Sequence, residues 1–248
     1  MPGRSQRVPG AGIDGMYRSH ARRDPTVTFA WGLRARAVTG PAWSLALSLG
    51  VLLAVLLTAC AGTQAVVSGS QHLYVSLPAS WKVYSESQLA QTQAFQALGV
   101  SAPPPFLAGA SGSPRPHAAD VFTQSSYPWA VVLAEPLTAD QRSSMSLLGL
   151  NDILVPVDQL SSEGIPVQTL SQPELLVNGA MRGTLESLEI GLPSPIGEVD
   201  YDQETWSNSA TNKVWLLMVG CSPRCFQAQH SAITHIVSSF YVPDRGNQ

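Results

Sequence analysis

Lysine is almost missing from this sequence: Lys82 and Lys213 are the only two among 248 residues, and charged residues of every kind make up 12 %. Twelve arginines complete the basic set, seven of them before residue 60, so the remainder of the chain holds seven basic residues against fifteen acidic ones. A nucleic-acid partner is thereby excluded for that part, because phosphate binding draws on clustered Lys and Arg. Three motifs of common enzymes are also missing: the sequence contains no phosphate loop, no His-Glu-x-x-His and no dinucleotide glycine fingerprint. Cysteine is scarce as well, with Cys60 alone and Cys221 and Cys225 four positions apart. The paucity of lysine beside abundant Ala, Gly, Pro and Arg has the look of GC-rich bacterial coding.

One long apolar run is present, Ala42 to Leu57, and it ends in Leu57-Thr58-Ala59-Cys60. That ending resembles a bacterial lipobox, in which small and aliphatic residues fit a membrane peptidase and the cysteine thiol takes a diacylglyceryl group before becoming the new N-terminus. Arg34 and Arg36 supply the positive flank, and Thr58-Ala59 the small residues at the cut. The sequence therefore predicts a lipoprotein signal peptide over residues 1–59, with an over-extended start since Met16 is a second candidate, and a lipid anchor on Cys60. The rival reading is an uncleaved signal anchor, as Trp43 to Ala61 spans 19 residues and a membrane span needs roughly 17 to 25. Arg22-Arg23 lacks the hydrophobic pair of a twin-arginine signal.

Removal of the leader leaves 189 residues with a net charge of −8, the size of one domain. Residues 60–71 read as a lipidated tether, of about 35 Å contour at most, and residues 72–242 as a single α+β domain before a tail at 243–248. Leu73, Val75 and Leu77 alternate as a half-buried strand that Pro78 stops. Ser85 to Leu98 lacks Gly and Pro and predicts a helix. Five prolines and two glycines over 101–118 predict a loop without a packed element, with a polyproline ligand as the alternative. Trp129 to Glu135 is a continuous apolar run, the pattern of a strand buried on both faces. Thr138 and Gln141 have capping-box spacing for a short helix to about Leu148. Asn178-Gly179 marks a hairpin between Glu174–Val177 and Met181–Leu188, and a second hairpin joins Glu198–Trp206 to Val214–Val219.

Near the end, Ser222 stands where a helix cap belongs and Pro223 at the first helical position, with Ile233, Ile236, Val237 and Phe240 at helical spacing. Cys221 and Cys225 then flank the helix start, close enough to cross-link, and export favours a disulfide. Free thiols, a redox pair and a zinc site are the other readings. Three intervening residues misfit a thioredoxin-type motif, and His230 and His235 lie on different helix faces.

Leu77-Pro78-Ala79-Ser80-Trp81 after an early strand, Val214-Trp215-Leu216-Leu217-Met218 as a late strand, and Ile236-Val237-Ser238-Ser239-Phe240 near the end together resemble bacterial lipoproteins with the PsbP/Mog1-like fold. The resemblance covers most of 72–242 and departs from the pattern at the proline-rich 101–118. It implies an antiparallel β-sheet flanked by helices, and an accessory or binding role with no catalytic residues to carry over.

A direct search for chemistry yields little. Gly109-Ala110-Ser111-Gly112-Ser113 misses the nucleophile elbow at its last position. Glu198, Asp200, Asp202 and Glu204 alternate along one strand, so their carboxylates share a face at roughly 7 Å intervals; a solvated outer face is expected, with a calcium site as the rival. Trp129, Trp206 and Trp215 read as packing residues. The expected function is that of a non-catalytic accessory or ligand-binding lipoprotein on the extracytoplasmic face of the cell membrane, held there by the lipid on Cys60, with a protein or small-ligand partner in the envelope. No catalytic residue, cofactor or metal is assigned. The alternative is an exported, hydrolase-like enzyme whose site the sequence does not reveal.

Overall fold

The computed structural model describes residues 62–97, 104–144, 146 and 148–244; the leader, the apolar run and Cys60 lie outside them. Nine strands carry the architecture. β1 (Thr63–Ser68) and β2 (Leu73–Pro78) form a two-stranded ribbon, and β3 (Lys82–Ser85), β4 (Phe106–Ser111), β5 (Trp129–Pro136), β6 (Val167–Asn178), β7 (Met181–Leu192), β8 (Gly197–Ser207) and β9 (Lys213–Cys221) form one antiparallel sheet in the order β3-β4-β5-β9-β8-β7-β6. The helices are α1 (Glu86–Leu89), α2 (Gln93–Ala97), α3 (Ala139–Ser144), α4 (Val157–Ser162) and the long α5 (Pro223–Val237). This is the α+β arrangement, an antiparallel sheet flanked by helices, that the sequence predicts.

The sheet separates two cores. On one face Val132, Leu217 and Val219 pack beneath α5, through Phe226, Ile233, Ile236 and Val237, and beneath the ribbon, through Val66, Val75 and Leu77. On the other, Val131, Leu133, Leu216 and Met218 meet the short helices and the segment around Leu154 and Val155. β5 and β9 are therefore buried on both sides, which is why they read as unbroken apolar runs. Trp129, Trp206 and Trp215 are all buried in these cores.

Several expectations are corrected. The tether predicted over 60–71 is in large part a strand: Val66 pairs with Val75, and β1 alternates so that Val66 and Ser68 turn inward while Thr63, Ala65 and Val67 stay exposed. Two consecutive valines among small polar residues were enough to form a ribbon once β2 offered backbone partners. The loop over 101–118 contains β4, because its prolines flank 106–111 and none interrupts it. Small residues there serve close packing: a Cβ at Gly109 would stand 2.9 Å from Leu89 Cδ2 and 3.0 Å from Val121 Cγ1. The helix predicted from Ser85 breaks into α1 and α2 at Thr92, whose hydroxyl bonds back to the Leu89 carbonyl at 2.8 Å.

Other local signals hold. Thr138 and Gln141 form the reciprocal capping box, at 2.8 and 3.2 Å, although α3 stops at Ser144 and a 3-10 segment follows over Leu148–Ile153. The Asn178-Gly179 hairpin is longer than predicted, with Gly179 at φ +59°. β6 is an edge strand, and its pairing with β7 shifts register between Thr169 and Ser171 and again between Ser171 and Glu174. Pro223 opens α5 as expected, but the Ser222 side chain makes no capping bond. Cys221 and Cys225 stand at disulfide distance, with Cα atoms 5.9 Å apart, across that helix start. Phe240 packs in the core just past the helix end, and Asp244 accepts from the Ala180 N–H at 2.7 Å, tying the chain end to the β6–β7 turn.

Candidate ligand cleft beneath the long helix

β8 carries Asp200, Asp202 and Glu204 on the same face as Trp206, opposite Val199 and Tyr201 on the other core. The expected solvated row is not what forms. Glu198 is exposed, but Asp200, Asp202 and Glu204 are 4 %, 5 % and 7 % exposed. The reason is topological: β8 lies between β7 and β9 in mid-sheet, so α5 covers the face on which the acids stand.

Register fixes their neighbours. Asp202 lies opposite Ser187 on β7 and Val219 on β9, and Glu204 opposite Leu185 and Leu217. Ser187 Oγ donates to Asp202 Oδ1 at 2.6 Å, and Trp206 Nε1 donates to Glu204 Oε1 at 2.6 Å. These neutral donors are the hydrogen-bond partners of the two carboxylates. Above them opens a cleft of about 280 Å³, floored by Asp202, Glu204 and Leu185, with exposed Glu174, His230 and Thr234 on its rim. His230 is set by an edge-on contact with Phe226, ring centroids 5.6 Å apart. Among the described residues no Lys or Arg lines the cleft.

Burial with no Lys or Arg in the cleft lining raises the acids. Glu204 is pushed up to about 7 by desolvation, against the pull of the Trp206 hydrogen bond. Asp202 is raised by the same cause and held back by Ser187 and by His230. Asp200 is pushed up to about 6 by burial and then by Glu189 and Glu198, and its Oδ1 is enclosed without a hydrogen-bond partner. Such shifts in a cleft mark a candidate site. The arrangement supplies negative charge and hydrogen-bond acceptors at the bottom of a partly apolar slot. Among the described residues no three His, Cys, Asp or Glu side chains are grouped as a metal site requires.

A wider cleft of about 610 Å³ lies between α1–α2 and the β7–β8 turn, lined by Gln88, Gln91, Thr92, Gln124 and Ser194 among others, with no titratable side chain. Size favours it. The acidic cleft is preferred because chemistry rather than volume identifies a site, and of the two clefts it alone has buried carboxylates in its lining.

The sequence names all the acids of this floor but places them wrongly. One signal bears on it: β9 is apolar on both faces, so the sheet is covered on both sides immediately beside its hairpin partner β8.

No protein-family model matches this chain, and no curated protein sequence does. Among solved structures the chain is similar to cyanobacterial PsbP from Synechocystis, at 11 % identity and TM-score 0.49, over 75 % of this chain and 95 % of that one. It is similar also to the Ran-binding protein Mog1p of Saccharomyces cerevisiae, at 12 % identity and TM-score 0.41, over 74 % and 96 %. A third is LpqN of Mycobacterium tuberculosis, involved in cell envelope biogenesis, at 13 % identity and TM-score 0.41, over 73 % and 91 %. The two proteins that give the PsbP/Mog1-like fold its name are thus among them. Likeness this remote carries no argument on function.

Proposed function

We propose that this chain is an extracytoplasmic lipoprotein, anchored to the cell membrane through a diacylglyceryl group on Cys60, and that it acts as a non-catalytic accessory module binding a cationic group in the cleft beneath α5. The observation that carries the binding role is the pair Asp202 and Glu204, each more than nine-tenths buried on the cleft floor with no Lys or Arg among the described residues that line it. An alkylammonium or guanidinium group would supply the missing charge, and Leu185 and Val237 would cover its aliphatic stem. The anchoring role rests on the lipobox-like Leu57-Thr58-Ala59-Cys60.

Titration of the protein with cadaverine at pH 8, followed by calorimetry, tests the binding role. The wild type is expected to bind, and Asp202→Asn with Glu204→Gln to weaken binding at least tenfold. Affinity should fall as pH drops from 8 to 5, because Glu204, pushed up to about 7, takes up a proton. Absence of wild-type binding, or binding indifferent to the double substitution, rejects this reading. Intact mass of the membrane form tests the anchor: the N-terminus is expected at Cys60 with added lipid, and Cys60→Ala should accumulate unprocessed precursor.

A hydrolase is the second reading, favoured by one observation. Glu204 holds its proton to about pH 7, and Asp202 stands two residues away on the same strand face, roughly 7 Å by strand geometry, which is the layout of a general acid beside a general base. Substrate turnover by purified protein, abolished by Glu204→Gln with folding intact, would establish it over binding.

A further inference from the structure

The correction at β1 brings the fold close to the proposed anchor. Only Ala61 and Gly62 separate Cys60 from Thr63, the first residue of a paired strand, and three steps of about 3.6 Å reach no farther than about 11 Å. A lipid on Cys60 therefore holds the ribbon at the membrane surface, with no flexible spacer to let the domain stand off.

The outer face of that ribbon has a particular composition. Directly paired residues share a face, and the outward pairs are Thr63 with Pro78, Ala65 with Ser76, and Val67 with Tyr74. Tyr241 extends the last row: its backbone bridges to Tyr74 in both directions, at 3.0 and 2.9 Å. None of these seven side chains is charged, on a chain that carries −8 beyond the leader. Val67, Tyr74 and Tyr241 are 61 %, 40 % and 55 % exposed, although each carries a large apolar surface. Tyrosine is the side chain suited to a boundary, its ring in an apolar layer and its hydroxyl among polar groups. The exposed leucines and valine of β6, Leu170, Leu175 and Val177, share the apolar character but have no such link to the anchor.

We infer that the outer face of the β1–β2 ribbon, with Val67, Tyr74 and Tyr241, is a membrane-contact surface that seats the domain flat on the lipid headgroups beside its own anchor. The inference rests on the reading of Cys60 as lipidated. Because the face has no charge, it takes a zwitterionic surface and needs no anionic lipid.

The test uses the full-length lipidated protein in phosphatidylcholine vesicles, with a nitroxide on Val67→Cys and a reference nitroxide on Asp158→Cys in α4, on the opposite side of the sheet. Labelling without reductant spares the Cys221–Cys225 pair, and a lipidated Cys60 does not react. The label at 67 is expected to gain oxygen accessibility and lose accessibility to a water-soluble nickel complex several-fold on the vesicle, while the label at 158 stays water-like. Adding Tyr74→Asp and Tyr241→Asp should leave the protein lipidated and return position 67 to water. Lipidated protein with position 67 water-exposed overturns the contact surface alone, as does a shielded label that ignores the double substitution. Shielding that requires other membrane proteins assigns the face to a protein partner and overturns the inference. A mass without lipid on Cys60 overturns the anchor and the inference together.

Discussion

Replacing Glu204 with glutamine tests the burial of charge at its most exposed consequence, the pH dependence of folding. In the folded protein the Glu204 carboxyl is pushed from 4.5 to about 7 by loss of solvent. At 1.36 kcal/mol for each pH unit, that displacement corresponds to about 3 kcal/mol. Between those two values the folded state keeps a proton that the unfolded chain releases, so stability declines as pH rises through the window, and the whole penalty is present above 7. In Glu204→Gln the side-chain amide would keep an acceptor for Trp206 Nε1 at the position where Oε1 now stands 2.6 Å away and would carry no charge. The variant is expected to match the wild type within about 1 kcal/mol at pH 4 and to exceed it by up to about 3 kcal/mol at pH 8. With an m-value of about 2 kcal/mol/M, the urea midpoint at pH 8 rises by about 1 to 2 M. Part of the pH slope should survive in the variant, since Asp200 and Asp202 are raised in the same sense. Tryptophan fluorescence across urea series at pH 4, 6 and 8 gives the comparison. Equal midpoints at pH 8, or a wild type whose stability is level from pH 5 to 8, would refute the argument that Glu204 is buried without compensation.

Cys225→Ser should cost no more than about 2 kcal/mol, because the ring closed with Cys221 spans few residues and restrains the unfolded chain little; non-reducing peptide mapping should first show the two cysteines linked in exported protein, and two alkylated thiols would refute the pairing. Tyr201→Phe should leave stability unchanged or raise it by about 1 kcal/mol, since the Tyr201 hydroxyl is fully enclosed with no hydrogen-bond partner and its removal ends a desolvation cost. A loss above about 2 kcal/mol in urea unfolding would show that the hydroxyl is satisfied in solution.

What the sequence made legible follows the range of the interaction that decides each element. Trp129–Pro136 and Lys213–Cys221 are apolar on both faces, and such runs declare a central strand without further information. The start of α5 is equally local, because Pro223 removes a donor that no helical partner would use. β1 and β4 escaped notice because their residues carry no pattern stronger than that of a linker; partners elsewhere along the chain, Leu73–Pro78 for β1 and Trp129–Ala134 for β4, make them strands. The cleft was missed for the same reason. Alternating acids on a strand read as solvent-facing until the order of strands sets β8 in mid-sheet and α5 crosses over it, and strand order is a property of the whole chain.

The open edge of the large sheet bears on crowding. β6 is mostly exposed along its twelve residues, and an unpaired strand of that length is a template for another chain. Pro173 has no N–H to offer, and the two register shifts around Ser171 break the spacing of the groups that remain. Under the anchoring proposed at Cys60, neighbouring copies would meet at high lateral density with their orientations restricted, a situation that favours edge-to-edge pairing of sheets. The irregular middle of β6 leaves only short regular runs on either side, which weakens this edge as a template, so copies held by the proposed anchor could share a leaflet without zipping into a continuous sheet.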